Sequence, residues 1–540
     1  MNTYLLLAAA VIFACVVCNR ITSKLGMPML FAFILLGMFF GTDGALKIAF
    51  DNYAFAEQIC SVALIFIMFY GGFGTNWSTA KPVAVKAIVL SSLGTVMTAG
   101  FVGLFCHFVL KMALLESFLI GAVISSTDAA SVFSILRSKK LNLKYNTAPL
   151  LEIESGSNDP FSYMLTVIVL ALMNNGTSEG FGYMLFAQIV YGVAFGFGIA
   201  IAAVFILKRF KISSAGFNAI FIMAVALIAY AAPAYFGGNG YLSAYITGII
   251  LGNKRIDNKQ ELVHFFDATT GLMQMVLFFL LGLLSFPSQF PAIALTALCI
   301  ALFLTFVARP LAVFAILTPF KGANVRQNLL VSWAGMRGAA SIVFAIMAVI
   351  NPAVTDNDIF HTVLFIVLFS ILIQGTLIPV VAKKLKLTDS GEDVMRTFTD
   401  YIDEVPVQLI QFSVPAAHPW NGKAVKDIQL PPDSLLVLLT RGDKRLIPNG
   451  NTVVREGDML VLSGNSTDKV DGVRLYERGA EASGWVGKTV SEVPSGEEFI
   501  MLIKRGGRVV IPRGNTEFKE KDVLVLTDAK ELVAAKPTKL

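Results

Sequence analysis

The sequence predicts an all-α polytopic membrane domain of about thirteen transmembrane helices, built from inverted repeats with crossed broken helices, followed by two small cytoplasmic α+β modules. Three observations carry that prediction. Of the 540 residues, 55% are apolar and only 15% charged, with a mean hydropathy of +0.69, which excludes an ordinary water-soluble enzyme. Charge is divided abruptly, with 37 Asp, Glu, Lys and Arg in residues 1–387 (about 10%) against 43 in residues 388–540 (28% of 153). Finally, residues 400–540 contain one pattern twice. The expected organisation is a membrane domain at 1–387, a linker at 388–404 and modules at 405–466 and 467–540. The net charge of +6 hides 23 basic against 14 acidic residues in the first part and 20 against 23 in the second, a balance that implies no nucleic-acid partner.

A span needs about 20 apolar residues. On that ruler the segments centre near Ala10, Leu35, Ile65, Thr98, Ser126, Thr166, Phe195, Ala226, Ile246, Leu277, Phe303, Ala340 and Leu368. The ninth, Tyr241 to Gly252, is short enough to be tilted or partly re-entrant. The start, MNTYLLLAAAVIFACVV, has neither a basic n-region nor a small-x-small cleavage site and reads as a retained first span. Cys15 and Cys18 make a CxxC spacing inside it, and with Cys60, Cys106 and Cys299 they read as small hydrophobes in apolar stretches. Loop charges then set direction. Arg20 and Lys24; Lys81 and Lys86; Arg137, Lys139, Lys140 and Lys144; Lys208, Arg209 and Lys211; Lys254, Arg255 and Lys259; Lys321 and Arg326; and Lys383, Lys384 and Lys386 fall in alternate loops. The other loops hold Lys47 and Lys111 beside Asp43, Asp51, Glu57, Glu116, Glu179, Asp356 and Asp358. This places the N-terminus outside and the C-terminus in the cytoplasm, and surrounds the first part with lipid.

Six charges remain at membrane depth: Asp128, Glu152, Glu154, Asp159, Arg309 and Arg337. Each costs at least about 2.5–3.5 kcal/mol at a helix centre, so it must be paired, near an interface or on a wet path. Arg309 and Glu152 fall near span ends and are expected to snorkel. SSTDAAS at 125–131 and EIESGSNDP at 152–160 bring the acids together in adjacent spans, with Glu154 and Asn158 at i, i+4 and Ser155 and Asp159 close to that face. Pro160 frees a carbonyl one turn earlier. Oxygen donors without sulfur or imidazole suit a hard monovalent cation. A Glu154–Arg337 pair locking two helices, with Asn158 as hydrogen-bonding glue, is the plain structural alternative. It leaves Asp128 and Asp159 unexplained, since one arginine does not neutralise three carboxylates. Asp128-Ala-Ala-Ser-Val-Phe133 is echoed by Ala339-Ala340-Ser341-Ile342-Val343-Phe344 after Gly335-Met336-Arg337-Gly338, seven spans later and so in the opposite orientation. That is the pattern of an inverted repeat, with a site between discontinuous helices whose dipoles Asp128 and Arg337 would offset.

STDAAS, ESGSNDP and GMRGAAS resemble the signature segments of the bacterial NhaP-like sodium or potassium/proton antiporters of the cation/proton antiporter superfamily. The resemblance covers residues 1–387 and implies thirteen helices in a homodimer, with a dimerisation domain and a six-helix core that moves like an elevator. It implies Asp159 as the main cation and proton carboxylate, with neighbouring oxygens from Thr127 and Ser155. Asn158 would position the site, Glu154 would pair with Arg337, and Asp128 would balance the broken helices. Gly156 and Ser157 replace the bulky residues of sodium members. Smaller residues leave more room and more water, which favours potassium over sodium, although spacing alone decides neither.

In the charged tail, Gly422-Lys423 recurs as Gly487-Lys488, Leu438-Leu439-Thr440-Arg441-Gly442 as Leu502-Ile503-Lys504-Arg505-Gly506, Ile447-Pro448 as Ile511-Pro512, and Gly457-Asp458 as Lys521-Asp522, at an offset of 64–65 residues. These segments look like TrkA-C domains, which implies pairing and a small-molecule ligand, with cyclic di-AMP a family possibility and a purely structural dimer clamp the alternative. No GxGxxG element precedes them, which disfavours NAD or ATP gating. His107, His264, His361 and His418 have no metal-type neighbours in sequence. The function expected is exchange of a monovalent cation, potassium before sodium, for protons, with no cofactor. A regulated cation channel lacks a carbonyl filter of the TVGYG sort, an anion carrier on Arg337 conflicts with the excess of acids, and a sensor without transport leaves the buried carboxylates unexplained. An enzyme is disfavoured because no nucleophile–base constellation or catalytic metal set is found.

Overall fold

A computed structural model describes residues 2–25, 29–138, 141–175, 180–209, 215–254, 256, 259–320, 322–354, 357–389, 407–430, 434–442, 444–465, 476–480, 484–493, 498–505, 508–510, 512, 514–520 and 522–528. Among the loop charges used to orient the spans, Lys139, Lys140, Glu179, Lys211, Arg255, Lys321 and Asp356 lie outside the described residues, as does 390–406, most of the expected linker. The chain divides into two compact units, Met1–Ile402 and Asp403–Leu540.

In the first unit, thirteen spans are traced among the described residues: α1 (Asn2–Leu25), α2 (Met29–Phe40), α3 (Tyr53–Gly74), α4 (Ala84–Phe108), the half-helices α5 (Leu114–Val123) and α6 (Ala129–Ser138), α7 (Thr147–Asn175), α8 (Phe181–Arg209), α9 (Ala215–Tyr235), α10 (Gly240–Gly252), α11 (Lys259–Leu283), α12 (Pro287–Leu317), the half-helices α13 (Val325–Trp333) and α14 (Ala339–Ile350), and α15 (Ile359–Lys384). Seven helices are long and apolar enough to cross a bilayer by length and composition. The short strands β1 (Asn142–Leu143) and β2 (Thr388–Asp389) pair near the end of α15. At 13 residues α10 rises only about 20 Å, less than a bilayer core, so it reaches across only in company with its neighbours.

Packing sorts the helices into two bundles. In one, α10 lies on α3, α8 and α9, and α11 on α2 and α3, with α1 against α2. In the other, α5 packs on α4 and α7, α12 on α15 and α4, and α14 on α15. Close approach in the first bundle depends on missing side chains. A Cβ on Gly248 would lie 2.2 Å from the Phe69 carbonyl oxygen, and one on Gly252 only 1.9 Å from that of Phe73. This GxxxG spacing lets α10 touch the α3 backbone, where contact replaces the hydrophobic drive that lipid does not supply. An aromatic core of Phe69, Phe73 and Phe266 fills the space beside it. The two bundles meet mainly where α14 crosses α3 and α7 crosses α10.

The connection from α11 to α12 joins the bundles at the end holding the acidic loops. It is pinned twice: the Phe286 amide donates to His361 Nε2 at 3.0 Å, and the Ser288 amide to Asp43 at 2.9 Å. His361 is buried, and its Nδ1 faces Asp358 Oδ2 at 2.6 Å. Because Nε2 accepts from an amide, the proton sits on Nδ1. Hydrogen bonds donated by Ser288 hold the Asp43 carboxyl below the usual range.

The second unit contains two four-stranded antiparallel sheets. The strands β3 (Val407–Ser413), β4 (Leu435–Arg441), β5 (Lys444–Leu446) and β6 (Met459–Asn465) form the order β3-β6-β4-β5. The strands β7 (Tyr476–Gly479), β8 (Glu498–Arg505), β9 (Arg508–Val510) and β10 (Val523–Asp528) form β7-β10-β8-β9, the same topology. The repeat read from sequence is reproduced bond by bond. Gly422 donates to Val454 and Gly487 to Phe518, each at 2.9 Å, and both glycines have positive φ (81° and 78°), a conformation that favours glycine.

Candidate functional site

The site forms where two spans break. α5 ends at Val123 and α6 begins at Ala129; α13 ends at Trp333 and α14 begins at Ala339. The two interruptions cross, and the Asp128 amide donates to the Met336 carbonyl at 2.8 Å. Irregular backbone at membrane depth persists only if its polar groups are satisfied inside the protein. Short hydroxyl side chains do this here: Ser125 and Ser162 both donate to the Ala122 carbonyl at 2.7 Å, and the Arg337 amide donates to Ser370 Oγ at 3.0 Å.

The charges follow the half-helices. The Asp128 carboxylate accepts from the Ser131 amide at 3.2 Å and the Ser131 hydroxyl at 2.5 Å, capping the start of α6. Arg337 Nη1 donates to the carbonyls of Ser125 and Ser126, both at 2.7 Å, just past the end of α5. A negative group thus sits at a helix N-terminus and a positive one at a C-terminus, the signs that the macrodipole favours. The glycines flanking Arg337 have separate uses. A Cβ on Gly338 would fall 2.4 Å from the Asp128 carboxylate, and one on Gly335 would fall 2.6 Å from Arg309 Nε, so each glycine seats a charged side chain from another helix.

α7 supplies the opposite wall and stays helical through Pro160. Asn158 Nδ2 donates to Thr127 Oγ1 at 2.5 Å and to Glu154 Oε1 at 3.0 Å, while the Thr127 hydroxyl donates to Glu154 Oε2 at 3.3 Å. The Ser155 hydroxyl donates to the Thr127 carbonyl at 2.7 Å. Asp159, 6% exposed, accepts a hydrogen bond from the Ser126 hydroxyl. Thr127, Glu154, Ser155, Asn158 and Asp159 therefore come together, with Asp128 and Arg337 on the adjoining breaks.

Three expectations are corrected. The ion pair at Glu154 is made by Arg309, with Nη2 to Oε2 at 3.0 Å, while Arg337 is committed to the Ser125 and Ser126 carbonyls. Arg309 does not snorkel; it is 2% exposed. A π-helical turn at Leu304–Ala308 directly precedes it, and the extra residue in that turn rotates Arg309 into the bundle, over Gly335. Gly156 does not simply leave room, because a Cβ there would stand 2.5 Å from the Tyr245 ring of α10, which occupies that side. Ser126 and Arg309 were the contributors missed. Ser126 stands inside the SSTDAAS segment, and Arg309 was visible as a charge in an apolar stretch followed by Pro310. Glu57, counted among the loop acids, lies one turn inside α3 and is half-buried.

Asp159 lines a cleft of about 850 Å³ together with Ser126, Thr127, Glu152, Ser155 and Asp267. Its walls include Leu64–Gly74, the half of α3 nearest the basic loops, and Asp267–Phe278, the middle of α11.

Residues 8–384 match the family described as sodium/hydrogen exchanger, transmembrane, and residues 409–470 and 480–533 each match the TrkA-C domain. The chain is 32% identical over 477 residues to the K(+)/H(+) antiporter NhaP of Alkalimonas amylolytica, an alignment covering 87% of this chain and 82% of that protein. It is 30% identical over 469 residues to the K(+)/H(+) antiporter NhaP2 of Shewanella baltica, covering 86% and 81%. The sodium proton antiporter MjNhaP1 of Methanocaldococcus jannaschii at pH 8 shares the fold, with a TM-score of 0.62 at 22% identity over 71% of this chain and 99% of that one. With crossed helix breaks, a buried carboxylate cluster and these matches, the chain belongs to the sodium/hydrogen exchanger family of multi-pass membrane antiporters and carries TrkA-C domains at its C-terminal end.

Proposed function

We propose that the protein exchanges potassium for protons across a bacterial inner membrane, with Asp159 as the carboxylate that both ions share. One observation carries this. Asp128, Glu154 and Asp159 share the crossing with two arginines, of which Arg309 is committed to Glu154 and Arg337 to backbone carbonyls. Among the described residues Asp159 has hydroxyl company and no cationic partner. A buried carboxylate in that position is neutralised by a proton or by a monovalent cation. The two exclude each other, so exchange follows from competition without a further coupling device. Thr127 and Ser155 supply oxygens beside it, Asn158 holds Thr127 against Glu154, and Asp128 and Arg337 offset the half-helix ends. Potassium is favoured over sodium by the names of the NhaP and NhaP2 relatives. The basic loops support an N-terminus outside and C-terminal modules in the cytoplasm. There they regulate transport, and the protein works as a homodimer.

In proteoliposomes, Asp159→Asn should abolish potassium-driven proton movement while the protein still reconstitutes as a folded species. Exchange that persists in this variant would refute the shared-carboxylate mechanism.

A further inference from the structure

One helical turn beyond Asp159, four aromatic side chains drawn equally from the two bundles meet. Tyr163 on α7 and Phe344 on α14 face Tyr241 on α10 and Tyr230 on α9. Tyr163 meets Tyr241 edge to face with centroids 5.0 Å apart, Tyr230 lies 4.8 Å from Tyr241, and Phe344 is 5.8 Å from Tyr163 and 6.2 Å from Tyr241. Tyr241 and Phe344 are 2% and 1% exposed. Past this plug, toward the acidic loops, the lining turns polar. Ser61 and Glu57 sit at i, i+4 on α3, with the Ser61 hydroxyl donating to Glu57 Oε1 at 2.7 Å. The Tyr241 hydroxyl reaches Ser61 and Tyr230, and Glu57 lies within electrostatic range of Tyr163 and Tyr230. A carboxylate within a span, turned toward the plug, is expensive to keep, and the chemistry at Asp159 as described so far makes no use of it.

Its place becomes intelligible when the site faces the other side of the membrane. Tyr163 follows Asp159 by four residues on the same face of α7, about 6 Å farther along the helix. A shift of the α7–α14 bundle by that one turn against α3 and α10 brings Asp159 to the level that Tyr163 now holds, opposite Tyr241, Ser61 and Glu57. The present register is held by the Asn239 side-chain Nδ2 donating to the Pro160 carbonyl at 2.7 Å and by Tyr245 seated on Gly156, both contacts between the bundles.

We propose that Glu57 with the hydroxyls of Ser61 and Tyr241 is a second cation subsite, which Asp159 meets only when the site faces the acidic-loop side, so that a monovalent cation is held there between the Glu57 and Asp159 carboxylates. The subsite belongs to the static bundle and acts at one face of the membrane alone. It rests on exchange at Asp159, and the test separates the two readings.

Potassium/proton exchange is measured in right-side-out and in everted membrane vesicles, with potassium presented to one face at a time. Glu57→Gln should raise the half-saturating potassium concentration about tenfold at the acidic-loop face, the loss of about 1.4 kcal/mol of binding, and leave the other face within about twofold. Tyr241→Phe, which keeps the plug and removes the hydroxyl, should shift the same face in the same direction. Equal shifts at both faces, or none at either, overturn the subsite. Exchange surviving Asp159→Asn instead overturns the shared carboxylate, whatever Glu57 does.

Discussion

At Arg309 a single side chain decides whether a carboxylate can remain buried. Its Nη2 stands 3.0 Å from Glu154 with both partners almost wholly enclosed. Removing one member of such a pair leaves an uncompensated charge in a medium that cannot solvate it, whereas removing both is far milder. Arg309→Met should therefore destabilise the protein by about 3–5 kcal/mol, and adding Glu154→Gln should recover most of that loss. Thermal unfolding in detergent reads both, and a double variant no better than Arg309→Met alone would show that Arg309 acts through packing instead of charge. The helical spacing of Glu154, Ser155, Asn158 and Asp159 was legible in the sequence because it is a property of one helix. The partner of Glu154 was not, because the pairing depends on a π-turn in α12 and on the space above Gly335, neither of which an apolar stretch announces.

Among the elements, the two C-terminal sheets show what a repeat preserves. Arg441 grips Asp458 through Nε and Nη2 at 2.8 and 2.7 Å and donates to the Val453 carbonyl at 2.8 Å. Sixty-four residues on, Arg505 grips Asp522 at 2.7 and 2.6 Å and donates to the Glu517 carbonyl at 2.6 Å. Hydrogen bonds from these arginines, joined by the amides of Arg455 and Lys519, hold both carboxyls below the usual range. A folded-state value below the unfolded one means that the stabilisation is complete above about pH 4 and is lost as pH falls through the folded values. With Trp77 and Trp333 replaced by Phe, the fluorescence of Trp420 and Trp485 in the full-length protein should report acid unfolding of the modules below about pH 4. Asp458→Asn should flatten that acid dependence in the first module; an unchanged profile would discount the Arg441 clasp. The repeat was readable because turn glycines and the Arg–Asp pair recur in register. The four-strand order was not, because pairing between distant strands is settled by tertiary packing.

For the molecule as a whole, charge density and loop polarity were sufficient to predict thirteen spans and a separate β-rich tail, since lipid imposes its length and polarity on every helix. Which helices pack together was not written in those signals. It emerges from close contacts such as Gly248 on Phe69, and from interruptions where Asp128 meets Met336. The five ionisable groups at the crossing, three acids and two arginines, have an electrical meaning beyond binding. With a proton or one monovalent cation on Asp159 their charges sum to zero, and with neither they sum to minus one. If the bundle carries the site between the two faces, Glu152 on α7 adds the same charge to both loaded forms, so replacing a proton by one monovalent cation would move no net charge across the membrane, while the empty form carries one more bare charge through lipid. Clamping proteoliposomes at about 100 mV of either sign should leave unchanged the potassium and proton gradients at which exchange comes to rest, although the same field does about 2.3 kcal/mol of work on each uncompensated charge. The transporter would answer to concentration gradients alone, and a cell could not drive it by polarising its membrane.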